Sequence, residues 1–218
     1  MIGHPHQWYG CVSYAQHGDD MAVLNVFERV GIRQGSYLDI GAHHPYELSN
    51  TALLHMRGWR GVNVEANPEL LLAFRAARPL DRLVHAAIVG QDYEDASIRL
   101  YRVNKTSGIN STNAKNLVGH GIKDSVEVPT MKIADVVRDY CNDKWPDFIS
   151  IDAEGQDLNI LRDIPPSASA VILVEARSQH TDFTKDIREW SSDRGYYVHS
   201  WCGHNMLLVQ RSWRDGLC

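Results

Sequence analysis

Apolar residues recur along the chain in two patterns, short continuous runs and longer stretches with helical spacing. The continuous runs are typical of strands buried on both faces, and they predict strands at residues 36–40, 61–66, 82–89, 97–103, 146–153 and 169–176. The longer stretches predict helices at residues 19–31, 51–58, 67–77, 131–141 and 182–194. Strands that alternate with helices in this way form a mostly parallel sheet with helices on both faces.

Two of the predicted helices begin with recognisable capping residues. Asp19 stands at the start of an amphipathic stretch and is a candidate N-cap for the first helix. Asn67 followed by Pro68 is typical of a helix start, with the asparagine as N-cap and the proline at the first helical position. Residues 104–125 instead form a polar segment rich in Asn, Gly and Lys, and we predict that this segment is a loop or a lid.

The last two apolar segments, YYVHSW and NMLLVQR, are separated only by residues 202–204. A connection this short predicts a hairpin, so the final strand is expected to be antiparallel. A parallel α/β sheet that ends in an antiparallel hairpin is the plan of the class I S-adenosylmethionine (SAM) methyltransferases. We therefore predict this Rossmann-like fold class, with a mostly parallel seven-stranded sheet.

Length and composition indicate one globular unit. The chain has 218 residues, of which 44% are hydrophobic and 22% are charged, so we expect a single methyltransferase domain over residues 1–218. Residues 1–34 would form an N-terminal helical extension of this domain, and residues 104–125 would form its lid-like loop.

Charge and cysteine content argue against several other classes of protein. A formal net charge of −5 argues against an extended nucleic-acid-binding surface. The four cysteines have neither the spacing of zinc ligands nor that of a redox pair. The sequence shows no signal peptide and no apolar run of the ~20 residues that span a membrane. We therefore expect a cytoplasmic protein that does not associate with membranes.

The candidate cofactor residues follow the first two strands, because ligands of open α/β sheets bind beyond the carboxyl ends of the strands. Asp39, Gly41 and Ala42 make a tight turn there. Glu65 ends the second strand, where an acidic residue can accept hydrogen bonds from ribose hydroxyls. The turn lacks the G-x-G-x-x-G pattern that holds a pyrophosphate. SAM carries no phosphate, so these residues favour SAM, with Asp39 facing its ammonium group.

Three more residues fit the same cofactor. Ala86 and Ala87 lie in the last part of the third strand, and their small side chains leave room for a flat adenine ring. His43 lies in the turn after the first strand, where contact with SAM is a simpler role than proton transfer.

Three carboxylates follow the strands at residues 146–153 and 169–176. Asp152, Glu154 and Glu175 are expected to converge on one crevice, because these strands are predicted to be neighbours. Two roles stay open. Asp152 and Glu175 are candidate ligands for a hard cation such as Mg²⁺. Asp152, Glu154 and His180 are candidates for the group that takes the proton of the methyl acceptor.

Five segments together resemble the FkbM family of SAM-dependent methyltransferases. They are SYAQHGDD (residues 13–20), YLDIGAHHPYELSNT (37–51), RGWRGVNVEANP (57–68), DFISIDAEGQDLNIL (147–161) and AVILVEA (170–176). They occur in this order over nearly the whole chain, which makes the resemblance specific. The resemblance implies O-methylation of sugars, polyketides or other small natural products.

The resemblance also implies roles for individual residues. Asp39, Gly41 and Ala42 would line the methionine end of SAM, and Glu65 would hold its ribose. Asp152 and Glu154 would face the reaction centre. Further cofactor contacts are expected within the matched segments, at Gln16 near the methionine end of SAM and at Asn50, Ala66 and Asn67.

Several alternatives remain open at this point. The acceptor is expected to be a small molecule, namely a sugar, a glycan precursor or a natural product, and its choice is expected to depend on residues 104–125. An N-methyltransferase or an RNA methyltransferase has the same fold, and an NAD-dependent oxidoreductase or a non-catalytic SAM-binding protein has a similar sheet. A homo-oligomer is also compatible with the sequence.

Overall fold

The structure, a computed structural model, describes residues 12–166, 168–178 and 181–216. Within these ranges the strands are β1 (Ser36–Ile40), β2 (Arg60–Glu65), β3 (Arg82–His85), β4 (Ala87–Ile88), β5 (Ser97–Arg102), β6 (Asp124–Met131), β7 (Phe148–Ile151), β8 (Val171–Glu175), β9 (Tyr196–Cys202) and β10 (Asn205–Gln210). The helices are α1 (Asp19–Arg29), α2 (Ala52–Met56), α3 (Leu71–Ala77), α4 (Ile133–Tyr140), α5 (Asp157–Arg162) and α6 (Thr184–Asp193). Short 3-10 helices occupy Pro68–Leu70, Ala114–Leu117 and Arg211–Gly216.

Seven strands form the main sheet in the order β3-β2-β1-β7-β8-β10-β9. All neighbouring pairs are parallel except those of β10, which runs antiparallel to both β8 and β9. This arrangement confirms the predicted fold class, a mostly parallel seven-stranded sheet that closes with an antiparallel hairpin. The order in which the strands are added to the sheet reverses between β1 and β7, which lie side by side and parallel at the centre. In open α/β sheets this switch point is where ligands bind.

Both faces of the main sheet are buried, which explains why its strands read as continuous apolar runs. Leu38 and Ile40 of β1 pack into a core with α4, α5 and α6. Tyr37 points to the opposite face and packs with α1 and α2. Helix α1 therefore covers the main sheet directly, although the sequence placed it in an extension.

A second, smaller sheet departs from the predicted pattern. The predicted strand at residues 82–89 is divided at Ala86, so that β3 belongs to the main sheet and β4 joins β6 and β5 in a three-stranded sheet. Strand β6 was not predicted, because its alternating polar residues and Pro129 resemble a loop. The lid segment consequently ends at residue 123, where β6 begins at Asp124. Helix α5 was also missed.

The two predicted helix starts have different outcomes. Asn67 caps the 3-10 turn that leads into α3, and its side chain accepts a hydrogen bond from the backbone N–H of Glu69, as predicted. The N-cap of α1 is Gly18 in a left-handed conformation, not Asp19. Asp19 is the first helical residue, and its buried carboxylate accepts hydrogen bonds from Asn205 and from the backbone N–H of His17.

Among the helices in the described part of the chain, none combines the length and the apolar character needed to cross a bilayer.

Candidate active site

A cavity opens at the carboxyl ends of β1, β2 and β7, at the predicted edge of the sheet. About 610 Å³ of space lies between its walls, a volume that includes open solvent at its mouth. The residues predicted to bind the cofactor that line this cavity are Gly41, His43, Glu65, Ala66, Asn67 and Ala87. Asp152 and Glu154, the predicted reaction-centre carboxylates, line the same cavity.

Glu65 is held rigidly at the wall of this cavity. One carboxylate oxygen accepts a hydrogen bond from the backbone N–H of His43 at 2.7 Å, and the other accepts one from the backbone N–H of Asn67 at 2.6 Å. Burial raises the pKa of Glu65 to about 7, although these backbone hydrogen bonds oppose the shift. The side chain is thus oriented before any ligand arrives, and each oxygen keeps a further lone pair for a hydroxyl donor.

Gly41 allows the ends of β1 and β7 to approach closely. Its φ of +76° lies in the left-handed region, and a Cβ atom at this position would overlap the backbone carbonyl of Asp152. Both constraints exclude any other residue without rearrangement. The glycine therefore brings the cofactor turn against the loop that carries the catalytic candidates.

Four predicted cofactor residues do not line the cavity. Asp39 is buried beneath it and accepts a hydrogen bond from the hydroxyl of Thr51 at 2.6 Å. Asn50 is also buried and donates to Ser150. Ala42 is buried, with its backbone N–H donating to the carbonyl of Val64. Gln16 is exposed in the segment before α1. The hydrogen bonds of Asp39 and Asn50 tie the segment after β1 to Thr51 and Ser150.

Arg78 is a buried support of the same turn that the sequence did not reveal. Its side chain is only 2% exposed. It donates hydrogen bonds to the hydroxyls of Ser49 and Thr51 at 3.0 and 2.8 Å, and also to the carbonyl of Pro45. Because Thr51 in turn donates to Asp39, one guanidinium holds the whole turn between Pro45 and Thr51 in place.

Carboxylates gather at the ends of β7 and β8, as predicted from their positions in the sequence. Oxygen atoms of Asp152, Asp157 and Glu175 lie within 4.8 Å of one another. Asp157 was not predicted, because it belongs to the unpredicted helix α5. Its two oxygens accept hydrogen bonds from the backbone N–H groups of Ala153 and Gly155, so it also shapes the loop that follows β7.

The proximity of these carboxylates changes their protonation. Burial, followed by the negative charges of Glu175 and Glu154, raises the pKa of Asp152 well above its ordinary value. Burial and the charge of Asp157 raise the pKa of Glu154 to about 7. Burial and the charges of Asp157 and Glu154 raise the pKa of Glu175 to about 9. The cluster therefore holds protons near neutral pH unless a cation neutralises it.

The lid segment, residues 104–123, fixes the conformation of Glu154. This residue has a φ of +50°, which is unusual for a side chain larger than glycine. Its backbone carbonyl accepts hydrogen bonds from the hydroxyl of Ser111 at 2.8 Å and from the side-chain amide of Asn116 at 2.9 Å. The lid thus stabilises a strained residue at the wall of the cavity.

The lid also reaches the opposite side of the cavity. The side-chain amide of Asn67 donates to the backbone carbonyl of Lys105 at 2.7 Å, and Ser107, Gly108, Asn110 and Thr112 contribute to the cavity wall. A single segment therefore joins the Glu65 side of the cavity to the Glu154 side. His180, the remaining predicted catalytic residue, lies outside the described residues.

Comparison with known proteins gives one family match. Residues 39–198 match the family described as the Methyltransferase FkbM domain. No curated protein matches the sequence.

The chain is also similar to several solved structures. These include a ribosomal protein L11 methylase from Lactobacillus delbrueckii subsp. bulgaricus (11% identity over 89% of this chain and 78% of that chain, TM-score 0.45). A protein named as a hemolysin from Streptococcus thermophilus matches at 13% identity over 92% of this chain and 67% of that chain, with a TM-score of 0.45. A precorrin-6y C5,15-methyltransferase from Geobacter metallireducens GS-15 matches at 14% identity over 93% of this chain and 92% of that chain, with a TM-score of 0.41. Likeness at this level carries no argument about activity.

Proposed function

The chain belongs to the FkbM methyltransferase family, and from this premise we propose that it transfers the methyl group of SAM to a hydroxyl of a small molecule. The acceptor we propose is a sugar, a glycan precursor or a natural product. Membership of the family supports SAM-dependent methyl transfer, and the hydroxyl acceptor is our proposal.

One observation carries this proposal. Asp152 and Glu154 line the same cavity as Glu65 and Gly41, so a cofactor whose ribose is held by Glu65 would have the carboxylate cluster next to it. An acceptor hydroxyl then needs only to reach that cluster to meet both a methyl donor and a proton acceptor. Holding two reactants in line in this way supplies a large share of the rate enhancement in group transfer.

The residues divide into a binding set and a reacting set. Glu65 would accept hydrogen bonds from the ribose hydroxyls, and the turn around Gly41 and His43 would hold the amino-acid end of the cofactor. Asp152 or Glu154 would take the proton of the acceptor hydroxyl as its oxygen bonds to the methyl carbon and the carbon–sulfur bond breaks. The pKa of about 7 at Glu154 suits a general base that works near neutral pH.

We propose Mg²⁺ as a second way to neutralise the cluster. Asp152 and Glu175, together with Asp157, would be its ligands, because three carboxylate oxygens within 4.8 Å of one another are the hard oxygen ligands that this ion requires. When bound, such an ion lowers the pKa of an acceptor hydroxyl.

A second candidate function is methyl transfer to an amine. Four acidic side chains around the reaction centre would attract a protonated amine and would take up the proton that it must lose before methylation. The formal net charge of −5 makes RNA a poorer candidate for the acceptor. We further propose that the described elements belong to one methyltransferase domain that acts in the cytoplasm.

The test is a transfer assay with methyl-labelled SAM and a panel of sugar hydroxyls, other alcohols and amines. We expect label to appear on a hydroxyl acceptor and Asp152→Asn to lose most of this activity while S-adenosylhomocysteine (SAH) affinity stays within about twofold. Asp193→Asn, an exposed position on α6, is the matched control. Label found only on amines would replace the hydroxyl proposal with the second candidate.

The metal proposal has its own measurement in the same assay. EDTA should abolish turnover and Mg²⁺ should restore it, whereas SAH affinity should stay the same in EDTA. Full turnover by metal-stripped protein would assign the cluster to proton transfer alone.

A further inference from the structure

Thr112 has a hydroxyl that no other part of the site explains. Three buried side-chain polar atoms in the described part of the chain have no hydrogen-bond partner, namely Arg78 Nε, Thr112 Oγ1 and Trp190 Nε1. Of these three residues, only Thr112 lines the cofactor cavity. A buried hydroxyl without a partner is destabilising, so a hydrogen bond to a bound molecule is a direct physical explanation for its position.

The location of Thr112 indicates which part of the cofactor it would meet. Its neighbour Ser111 pairs with Tyr101 of β5 through two backbone hydrogen bonds of 2.9 and 3.1 Å. Leu100, the residue beside Tyr101, lines the cavity together with Ala87. Thr112 therefore directly follows a residue that is hydrogen-bonded to β5, the strand that supplies Leu100 to the apolar wall of the cavity.

The apolar end of the cavity fits adenine better than any other part of SAM. Leu70, Ala86, Ala87, Ile88 and Leu100 give it a wall of small and aliphatic side chains, which suits the faces of a flat ring. The ribose is accounted for by Glu65 and the amino-acid end by the turn after β1. Adenine still requires a polar partner at its edge, because its exocyclic amino group would otherwise lose its hydrogen bonds to water.

We propose that the hydroxyl of Thr112 accepts a hydrogen bond from the exocyclic amino group of adenine, so that the lid segment recognises the cofactor base. This assignment rests on the proposed cofactor site. It makes Thr112 a specificity residue for the adenine ring, on the same segment whose Ser111 and Asn116 hold the carbonyl of Glu154. A base bound to Thr112 therefore favours the lid position that also fixes Glu154.

Calorimetric titration with SAH tests the proposal without any knowledge of the methyl acceptor. Thr112→Val has nearly the same shape but no hydroxyl, and we expect it to weaken SAH binding by about three- to tenfold, the effect of one neutral hydrogen bond. Thr112→Ser keeps the hydroxyl and should bind within about twofold of the wild type. Thr106→Val, an exposed position on the same segment, is the matched control and should bind as the wild type does.

A second probe identifies the atom on the ligand. The analogue of SAH that lacks the exocyclic amino group should bind wild-type protein more weakly than SAH, and Thr112→Val should bind the two ligands equally well. If Thr112→Val binds SAH as tightly as wild-type protein does, or weakens both ligands by the same factor, the proposal is overturned. If the wild-type protein does not bind SAH at all, the proposed cofactor site falls together with it, so the two failures are distinguishable.

Discussion

At the scale of single residues, Glu65 connects the sequence pattern to the chemistry most directly. It ends β2, is only 7% exposed and has both oxygens fixed by backbone N–H groups on either side. A carboxylate held in this way gives up little side-chain entropy when it binds a ligand. The charge–hydroxyl hydrogen bonds that it can offer are stronger than those between neutral groups.

We expect Glu65→Ala to weaken SAH binding more than tenfold. One hydrogen bond to a charged group contributes ~1.5–3 kcal/mol, and 1.4 kcal/mol corresponds to a factor of ten. Isothermal titration calorimetry measures the change, with Glu94→Ala, an exposed position between β4 and β5, as the matched control. Equal SAH affinities of Glu65→Ala and Glu94→Ala would show that Glu65 does not bind the cofactor.

The sequence revealed some residues of the site and concealed others for a physical reason. Glu65, Asp152 and Glu175 directly end buried strands, so strand position alone predicted where they meet. Arg78 acts through hydrogen bonds to residues far away in the chain. Thr112 lines the cavity with a hydroxyl that has no partner among the described residues, and neither residue belongs to a local sequence pattern. Asp39 was predicted to face the cofactor from its place at the end of β1. Its side chain accepts a hydrogen bond from Thr51, and its contact with the cofactor stays a prediction.

At the scale of secondary-structure elements, the close approach of β1 and β7 shapes the site. Each strand is four or five residues long and fully paired with its neighbours. The approach depends on Gly41, where the cofactor turn meets the backbone of Asp152. The turn after β1 and the loop after β7, two sides of the cavity, are therefore joined by backbone contact.

Two glycine-to-alanine substitutions distinguish the effect of the close approach at Gly41 from the effect of a left-handed backbone conformation alone. Gly31 and Gly41 have similar φ values, +82° and +76°, but a Cβ atom at Gly31 would meet nothing within 4 Å. Gly31→Ala should cost roughly 1–2 kcal/mol, the cost of a left-handed non-glycine residue. Gly41→Ala should cost more and should also abolish SAH binding. Urea denaturation measures the loss of stability, and calorimetry measures the loss of SAH binding. Equal losses of stability in the two variants would mean that the ends of β1 and β7 can move apart to accommodate the extra methyl group.

The lid segment is the element whose position we expect to respond to the cofactor. Lid residues contact both the Asn67 side and the Glu154 side of the cavity, and segments with few buried contacts open locally. Hydrogen exchange at residues 104–123 should slow when SAH binds, and Asn116→Ala should reduce this protection. Exchange that is unchanged by SAH would show that the lid does not take part in binding.

The sequence predicted these elements unevenly. The strands of the main sheet were predicted because burial on both faces leaves a continuous apolar run. Strand β6 belongs to the smaller sheet and carries exposed polar residues at alternate positions, so its sequence resembles that of the lid beside it. Helix α5 has only six residues, and no glycine marks its end as Gly58 marks the end of the similarly short α2.

At the scale of the whole molecule, the fold brings several carboxylates together, and their mutual repulsion destabilises the folded state. The mostly parallel direction of the seven strands and the antiparallel final hairpin followed from the alternation of strands and helices and from the short final connection. This electrostatic repulsion could not be predicted from any one strand, because it arises only when the fold brings Asp152, Asp157 and Glu175 together.

This repulsion should make the stability of the metal-free protein depend on pH. The pKa of Glu175 is raised from 4.5 to about 9 by burial and by its acidic neighbours. The folded state thus binds the proton more tightly than the unfolded state does, so stability is highest at low pH and falls as the pH rises towards 9.

Thermal unfolding in EDTA at pH 6 and pH 9 measures this effect. We expect Glu175→Gln to lose less stability than the wild type over this range. At pH 9 its melting temperature should be higher by at least about 2–4 °C, the shift that accompanies 1 kcal/mol in a chain of this size. Glu189→Gln, an exposed position on α6, should follow the wild type, and parallel curves for all three proteins would contradict the burial of charge in the cluster.

A crystal structure of the protein with SAH would show most directly whether one cavity places the cofactor between Glu65 and the carboxylates at the ends of β7 and β8. We predict ribose hydroxyls within hydrogen-bond distance of Glu65 and a sulfur atom that faces Asp152 and Glu154. SAH bound elsewhere, or bound with its sulfur turned away from these carboxylates, would contradict this placement of the cofactor.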